Sequence, residues 1–96
     1  MKLFGNIYTD IKLEVLISQI VLPNWRWAKQ SDNEFLLTAD RLTMTVEGQQ
    51  EILVFGELEI DIKVVEEWIA LISELPIHFN IDLHGDEARL MRRYLH

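Results

Sequence analysis

Four alternating polar residues near the C-terminus have the types and spacing that come closest to a chemical site. The set is His78, Asn80, Asp82 and His84. Same-side residues of a strand lie roughly 6.6 Å apart, so these side chains form a nearly straight line. His78, Asp82 and His84 could hold a divalent metal, and Asp82 with His84 could act as orienting carboxylate and base.

The line geometry argues against that chemistry. A tetrahedral metal site needs ligands that converge from different directions, and no ligand from a neighbouring strand can be identified in the sequence. We therefore favour a solvated strand face and predict no metal, no other cofactor and no catalytic residue. The sequence also has no cysteine and no dinucleotide-binding, P-loop, zinc-protease or nucleophile-elbow motif.

Acidic residues are concentrated in the second half of the chain. Residues 1–46 carry five acids and five bases, whereas residues 47–87 carry eleven acids and one base, Lys63. Such a surface attracts a basic partner and accelerates its capture, although plain solubility is a simpler reason for it. The candidate contact residues are Glu57, Glu59, Asp61, Glu66 and Glu67.

The acidity also excludes functions. A net charge of -7 argues against nucleic acid as a ligand, because phosphate binding needs a basic face. Paired carboxylates can hydrolyse glycosides, but that chemistry needs a cleft with two carboxyl groups of different pKa. A chain of 96 residues has little room for such a cleft. We therefore predict that the protein is not an enzyme.

One aromatic cluster and one basic cluster are the remaining candidate sites. Trp25 and Trp27 flank Arg26 in a predicted strand, so both indoles point to one side. They are either core residues, which we favour, or an exposed partner-binding site.

The basic cluster belongs to a predicted terminal helix. Cations near the C-terminus of a helix stabilise it or contact an anion or an acidic partner. Its members are Arg89, Arg92, Arg93 and His96.

The elements that must position these residues follow from periodicity and from capping and turn residues. Thr9 or Asp10 is expected to cap the first helix, Asp61 the second and Asp86 the third. The predicted elements are a strand at 2–8, a helix at 11–22, strands at 25–29, 35–39, 42–47 and 52–60, a helix at 62–75, a strand at 77–84 and a helix at 86–95.

This order, β-α-β-β-β-β-α-β-α, predicts a single α+β domain over residues 1–96. We expect a two-layer sandwich in which the helices pack mainly on one face of a mostly antiparallel sheet. No segment approaches 18 uninterrupted apolar residues, and the N-terminus lacks the apolar core of a secretory signal. We therefore expect a cytoplasmic protein that does not bind membranes.

Two functions remain open. The preferred one is a non-catalytic protein-binding module, a small acidic inhibitor or immunity-type protein that neutralises a basic partner by plugging its cationic site. The alternative is a structural or regulatory subunit that forms a homodimer through an apolar helix. The first predicted helix suggests this because Ile11, Val15 and Leu22 lie opposite its main apolar face.

Overall fold

Alternating strand patterns and two helical patterns build one antiparallel sheet with two α-helices. The computed structural model describes the backbone of residues 1–96 and every side chain except that of Ala88. The helices are α1 (Leu13–Gln19) and α2 (Ile62–Ser73), and a 3-10 turn covers Asp86–Ala88. The strands are β1 (Lys2–Tyr8), β2 (Arg26–Ser31), β3 (Glu34–Ala39), β4 (Leu42–Gln49), β5 (Glu51–Leu58), β6 (His78–His84) and β7 (Leu90–Leu95).

The strands form a seven-stranded sheet in the order β2-β3-β4-β5-β1-β6-β7, and every neighbouring pair is antiparallel. The α+β class and the antiparallel sheet are therefore confirmed. Strands β2 to β5 form a meander with short turns. Asp40-Arg41, between the strands predicted at 35–39 and 42–47, forms a hairpin turn, because Ala39 pairs with Leu42 and Arg41 has a φ of 60°.

The period-two pattern decides which side of each strand is buried. In β1, Leu3 and Ile7 are buried while Lys2 and Phe4 are exposed. The buried side chains of strands and helices belong to one hydrophobic cluster. Its members from the sheet are Leu3, Ile7, Phe35, Leu37, Leu42, Met44, Val46, Ile52, Val54, Leu58, Phe79, Ile81 and Leu83.

Helix α2 forms as its sequence predicts, although it ends at Ser73 instead of residue 75. The Asp61 side chain accepts a hydrogen bond from the Lys63 backbone N–H at 2.9 Å and so caps the helix. The Trp68 indole N–H donates to the Ile20 carbonyl oxygen at 2.8 Å, which ties α2 to the end of α1. Among the described residues, neither helix is long and apolar enough to cross a membrane.

Helix α1 is shorter than predicted, covering 13–19 instead of 11–22. The predicted cap at Thr9 or Asp10 is wrong, because α1 begins after Lys12. The Thr9 hydroxyl accepts from the Ile11 N–H at 3.0 Å and closes a turn before the helix. The N-cap position is Lys12, whose side chain makes no capping bond in the described chain. A helix this short is stabilised by the packing of its apolar residues, since isolated short helices are marginal in water.

The predicted terminal helix at 86–95 is wrong, because this segment forms the 3-10 turn and β7. Helix propensity is a weak preference, and the backbone of β6 offers a full ladder of hydrogen bonds. Strand β7 pairs with β6 from Leu95, which lies opposite Asn80, to Leu90, which lies opposite His84. Successive strand residues point to opposite sides, so Arg92 and Arg93 do not share the predicted basic helix face.

Candidate functional site

The polar row of β6 is present, but Arg93 occupies its carboxylate. The Arg93 Nε and Nη2 atoms donate to Asp82 Oδ1 and Oδ2 at 2.8 and 3.1 Å. These bonds lower the pKa of the Asp82 carboxyl below its ordinary value. Among the residues the structure describes, no group of three His, Cys, Asp or Glu side chains is arranged to hold a metal ion, and this includes His78 and His84. Asp82 thus serves as a structural ion-pair partner of β7.

The two candidate tryptophans lie in different environments. Trp25 precedes β2, is half-buried, and stacks on Trp68 with ring centroids 6.3 Å apart. Trp27 lies within β2, where it is exposed and meets Phe35 edge to face at 5.8 Å. Trp25 therefore completes the core, while Trp27 is available at the rim of the sheet.

The five candidate acids lie on different elements. The Glu57 side chain lies near that of Lys2, with 4.0 Å between Lys2 Nζ and Glu57 Oε1. Glu57 and Glu59 line one shallow depression. Asp61 caps α2, and Glu66 and Glu67 are exposed on that helix. Glu57 and Glu59 are thus the pair that lines a common surface feature.

The Tyr94 side chain of β7 is influenced by the carboxylate of Glu66 on α2. Its hydroxyl is buried and has no hydrogen-bond partner within the described side chains. Burial raises the pKa of Tyr94, and the nearby Glu66 carboxylate raises it further. An unpaired buried hydroxyl costs free energy of folding, so this tyrosine is a weak point between α2 and β7.

The exposed side of the central strands holds aromatic residues that sequence reasoning missed. We define the open face as the side of the sheet that carries Lys2, Phe4, Asn6 and Tyr8 of β1 together with their cross-strand neighbours. Phe4 lies directly opposite Phe55 of β5, and the two side chains are 54% and 37% exposed. Because β5 and β1 are inner strands, this aromatic pair lies near the middle of the open face.

Acidic residues border the aromatic pair on the β3–β5 side. Glu34 and Glu47 are paired directly opposite each other, and both are half-buried. Like charges at opposed positions destabilise a sheet. Glu51 accepts a hydrogen bond from Asn6 Nδ2 at 3.0 Å, which holds its carboxylate beside β1. The open face therefore combines an apolar centre with carboxylates that lack a described basic partner at the Glu34–Glu47 pair.

A sequence signal for the open face exists. A strand with one wet side carries bulky apolar residues at every second position only. β1 carries them at both parities, Leu3 and Ile7 on one side and Phe4 and Tyr8 on the other. This excess of apolar residues marks a strand whose exposed side carries aromatic residues between polar ones.

Comparisons of the chain with models of protein families, with curated proteins and with solved structures found no match. A fold does not by itself determine function. The function must therefore be argued from the chemistry of the open face, its exposed aromatic pair and its acidic border.

Proposed function

We propose that the protein is a non-catalytic binding module whose open face receives a basic protein partner, in the manner of a small inhibitor or immunity-type protein. The exposed pair Phe4 and Phe55 carries this proposal. Aromatic side chains supply much of the binding free energy at protein interfaces, especially at their centre. An exposed aromatic pair with a charged border has the composition of such a centre and rim.

Charge complementarity supports a basic partner. The opposed carboxylates Glu34 and Glu47 repel each other in the free protein. A lysine or arginine placed between them relieves that repulsion and gains two ion pairs. The net charge of -7 also steers a cationic protein toward this surface before contact.

The acids predicted from the sequence divide into two roles in this proposal. Glu57 lies next but one to Phe55 on β5, so Glu57 and Glu59 border the aromatic pair and contact the partner. Asp61, Glu66 and Glu67 lie on or before α2 and attract the partner at longer range. Trp27 lies opposite the buried Leu37 at the β2 edge, on the other side of the sheet from the open face, so neither Trp27 nor Trp25 belongs to the proposed contact surface.

We infer that the architecture leaves the open face free because α1 and α2 both cover the opposite side of the sheet, as a two-layer sandwich does. The hydrophobic cluster supports this, since it joins residues of both helices with the buried side of the strands. We also infer a cytoplasmic setting, which the cysteine-free composition supports.

Affinity capture from the native cell tests the proposal. The baits are the wild-type chain, the double variant Phe4→Ala/Phe55→Ala and the control Val15→Ala, which removes an exposed apolar side chain of α1. A basic protein should bind the wild type and the control. Loss of two central aromatic side chains should weaken its purified complex by about thirtyfold or more, equivalent to about 2 kcal/mol. Equal binding by all three baits would contradict the proposal.

Charge reversal separates contact from attraction. Glu57→Lys/Glu59→Lys should speed dissociation of the complex and slow its association. Glu66→Lys/Glu67→Lys carries the same charge change and should slow association only, because exposed charges outside the interface act on the encounter. Stopped-flow or surface-binding kinetics at low salt measure both rates. Unchanged rates in both variants would remove the electrostatic part of the proposal.

Self-association is the competing function, and its original basis is weaker in the structure. Of the three residues that suggested it, Ile11 and Leu22 are partly buried against the chain's own core, whereas Val15 is exposed. Light scattering at high concentration separates the two functions. A monomer is expected for the wild type, whereas a stable dimer that Phe4→Ala/Phe55→Ala or Val15→Ala dissolves would replace the basic partner with a second copy.

A further inference from the structure

The two edges of the sheet differ in how they meet solvent. Strand β2 forms one edge and β7 the other. An edge strand presents unpaired backbone N–H and C=O groups to any chain that can pair with them. Proteins usually block such pairing with bulges, charged residues or a covering element.

Strand β2 is blocked. Its pairing with β3 shifts register between Lys29 and Ser31, which is a bulge or irregularity. Lys29 lies opposite the buried Phe35 and is held by ion pairs to Glu14 and, at 3.6 Å, to Asp32. A charged residue on the core side of an edge strand and a bulge are both devices that prevent strand addition.

Strand β7 directs backbone groups away from the sheet. Phe79 and His96 exchange two backbone hydrogen bonds of 3.1 and 3.0 Å. Bonded and non-bonded pairs alternate in an antiparallel ladder, so Tyr94 forms the next bonded pair with β6. The N–H and C=O groups of Arg93 and Leu95 therefore point to the free edge.

Apolar side chains are exposed along the same edge. Leu90, Met91 and Leu95 are 44%, 39% and 69% exposed. An exposed edge that carries apolar side chains is a template for an added strand. The start of β7 is also irregular, because its pairing with β6 shifts register between Leu83 and His84, and Arg92 Nη1 donates to the Met91 carbonyl oxygen at 2.8 Å. The regular segment at Arg93 and Leu95 thus offers free backbone groups beside the apolar Leu95.

The charge of β7 specifies the strand that it accepts. Arg89, Arg92 and Arg93 lie within five residues, and Asp82 pairs with Arg93. A strand with carboxylates near Arg92 of β7 and near Arg89, which precedes β7, forms favourable charge pairs. A second copy is disfavoured, because pairing two β7 strands brings the arginines of both copies to one interface, where like charges repel.

We propose that the free edge of β7 binds an extended, acidic peptide segment of another protein as an eighth strand. Strand β6 separates this edge from Phe4 of β1, and the edge has the opposite charge preference, so the proposal does not depend on the proposed function. The segment carries alternating carboxylate and apolar residues. Its backbone bonds to Arg93 and Leu95 give affinity, and its carboxylates give orientation.

The test uses the full chain and two synthetic peptides with capped termini. One peptide alternates glutamate and valine, and the other alternates lysine and valine. NMR titration should show that the glutamate peptide binds and slows amide exchange at Arg93 and Leu95. The lysine peptide should bind at least about tenfold more weakly. Equal binding of both peptides, or no protection of these two amides, overturns the proposal.

Two variants check the mechanism. Leu95→Pro removes an edge N–H without removing a β6–β7 hydrogen bond, and Arg89→Glu/Arg92→Glu reverses the charge without changing the backbone. Each should weaken the glutamate peptide by at least about tenfold, whereas Arg26→Glu on the β2 edge should not. Wild-type affinity in Arg89→Glu/Arg92→Glu, or dimer contacts between two β7 strands in place of peptide binding, contradicts the proposal.

Discussion

The two sides of the same sheet show what covering does to similar residues. Phe79 of β6 and Phe4 of the neighbouring β1 are chemically identical, yet Phe79 is buried and Phe4 is exposed. The buried side shares one cluster with residues of both helices, so its residues are fixed by the needs of folding. Phe4 and Phe55 of the open face are not part of that cluster, and we propose a binding role for them.

The largest effect should come from the buried side. Trp68→Ala removes a buried indole, its hydrogen bond to Ile20 and its stacking on Trp25. It should lower the free energy of unfolding by about 3–5 kcal/mol. Urea denaturation measures the loss, with Trp27→Ala as a control that should cost about 1 kcal/mol or less. Similar losses in the two variants would break the contrast between buried and exposed aromatic residues.

A medium effect is expected at the start of α2. Asp61→Ala removes the side-chain oxygen that accepts from the Lys63 N–H. It should cost about 1 kcal/mol of stability, and Asp61→Asn should restore most of that loss because asparagine also caps helices. Thermal denaturation compares the three proteins. An equal loss in both variants would show that the carboxylate acts through its charge and not as a cap.

A substitution that removes a polar atom should be neutral or stabilising at Tyr94. Its hydroxyl is buried and unpaired within the described structure, so Tyr94→Phe relieves a desolvation cost and gains up to about 1 kcal/mol. Chemical denaturation gives the sign. A loss of more than about 1 kcal/mol would mean that the hydroxyl has a partner in solution, such as a bound water.

The smallest effect concerns the ion pair between β6 and β7. The Arg93 guanidinium lowers the pKa of the Asp82 carboxyl in the folded protein. The stability that this pair contributes is therefore complete above the ordinary carboxyl pKa of about 4 and is lost as the pH falls through the lower folded value. Asp82→Asn should be less stable than the wild type at neutral pH and should approach it in acid. A stability difference that does not change with pH would contradict this role.

Local signals predicted part of this molecule well. The alternation in β6 and the capped helical periodicity of α2 indicate where these elements begin and end, since the pattern and the terminating residues agree. The class of the fold followed from the order of these elements. The short gaps between the predicted strands fit the meander of β2 to β5, although only the structure shows that Asp40-Arg41 is a hairpin turn.

Tertiary context decided the rest. The segment 90–95 has a sequence that suits a helix, but it pairs with β6 because that strand offers its backbone. The acidic residues can be listed from the sequence, and the structure distributes the five candidates over β5, α2 and the segment between them. The Phe4–Phe55 pair could not be predicted. Its formation depends on the register between β1 and β5, which joins positions far apart in the chain and is invisible to a local pattern.

The central claim is that residues of the open face bind a basic partner, whereas residues of the buried side stabilise the fold. Phe4→Ala/Phe55→Ala tests it most directly when stability and affinity for the captured basic partner are measured on the same sample. We expect a loss of stability of about 1 kcal/mol or less together with a loss of affinity of about thirtyfold or more. A large loss of stability, or an unchanged affinity in a stable variant, would contradict the claim.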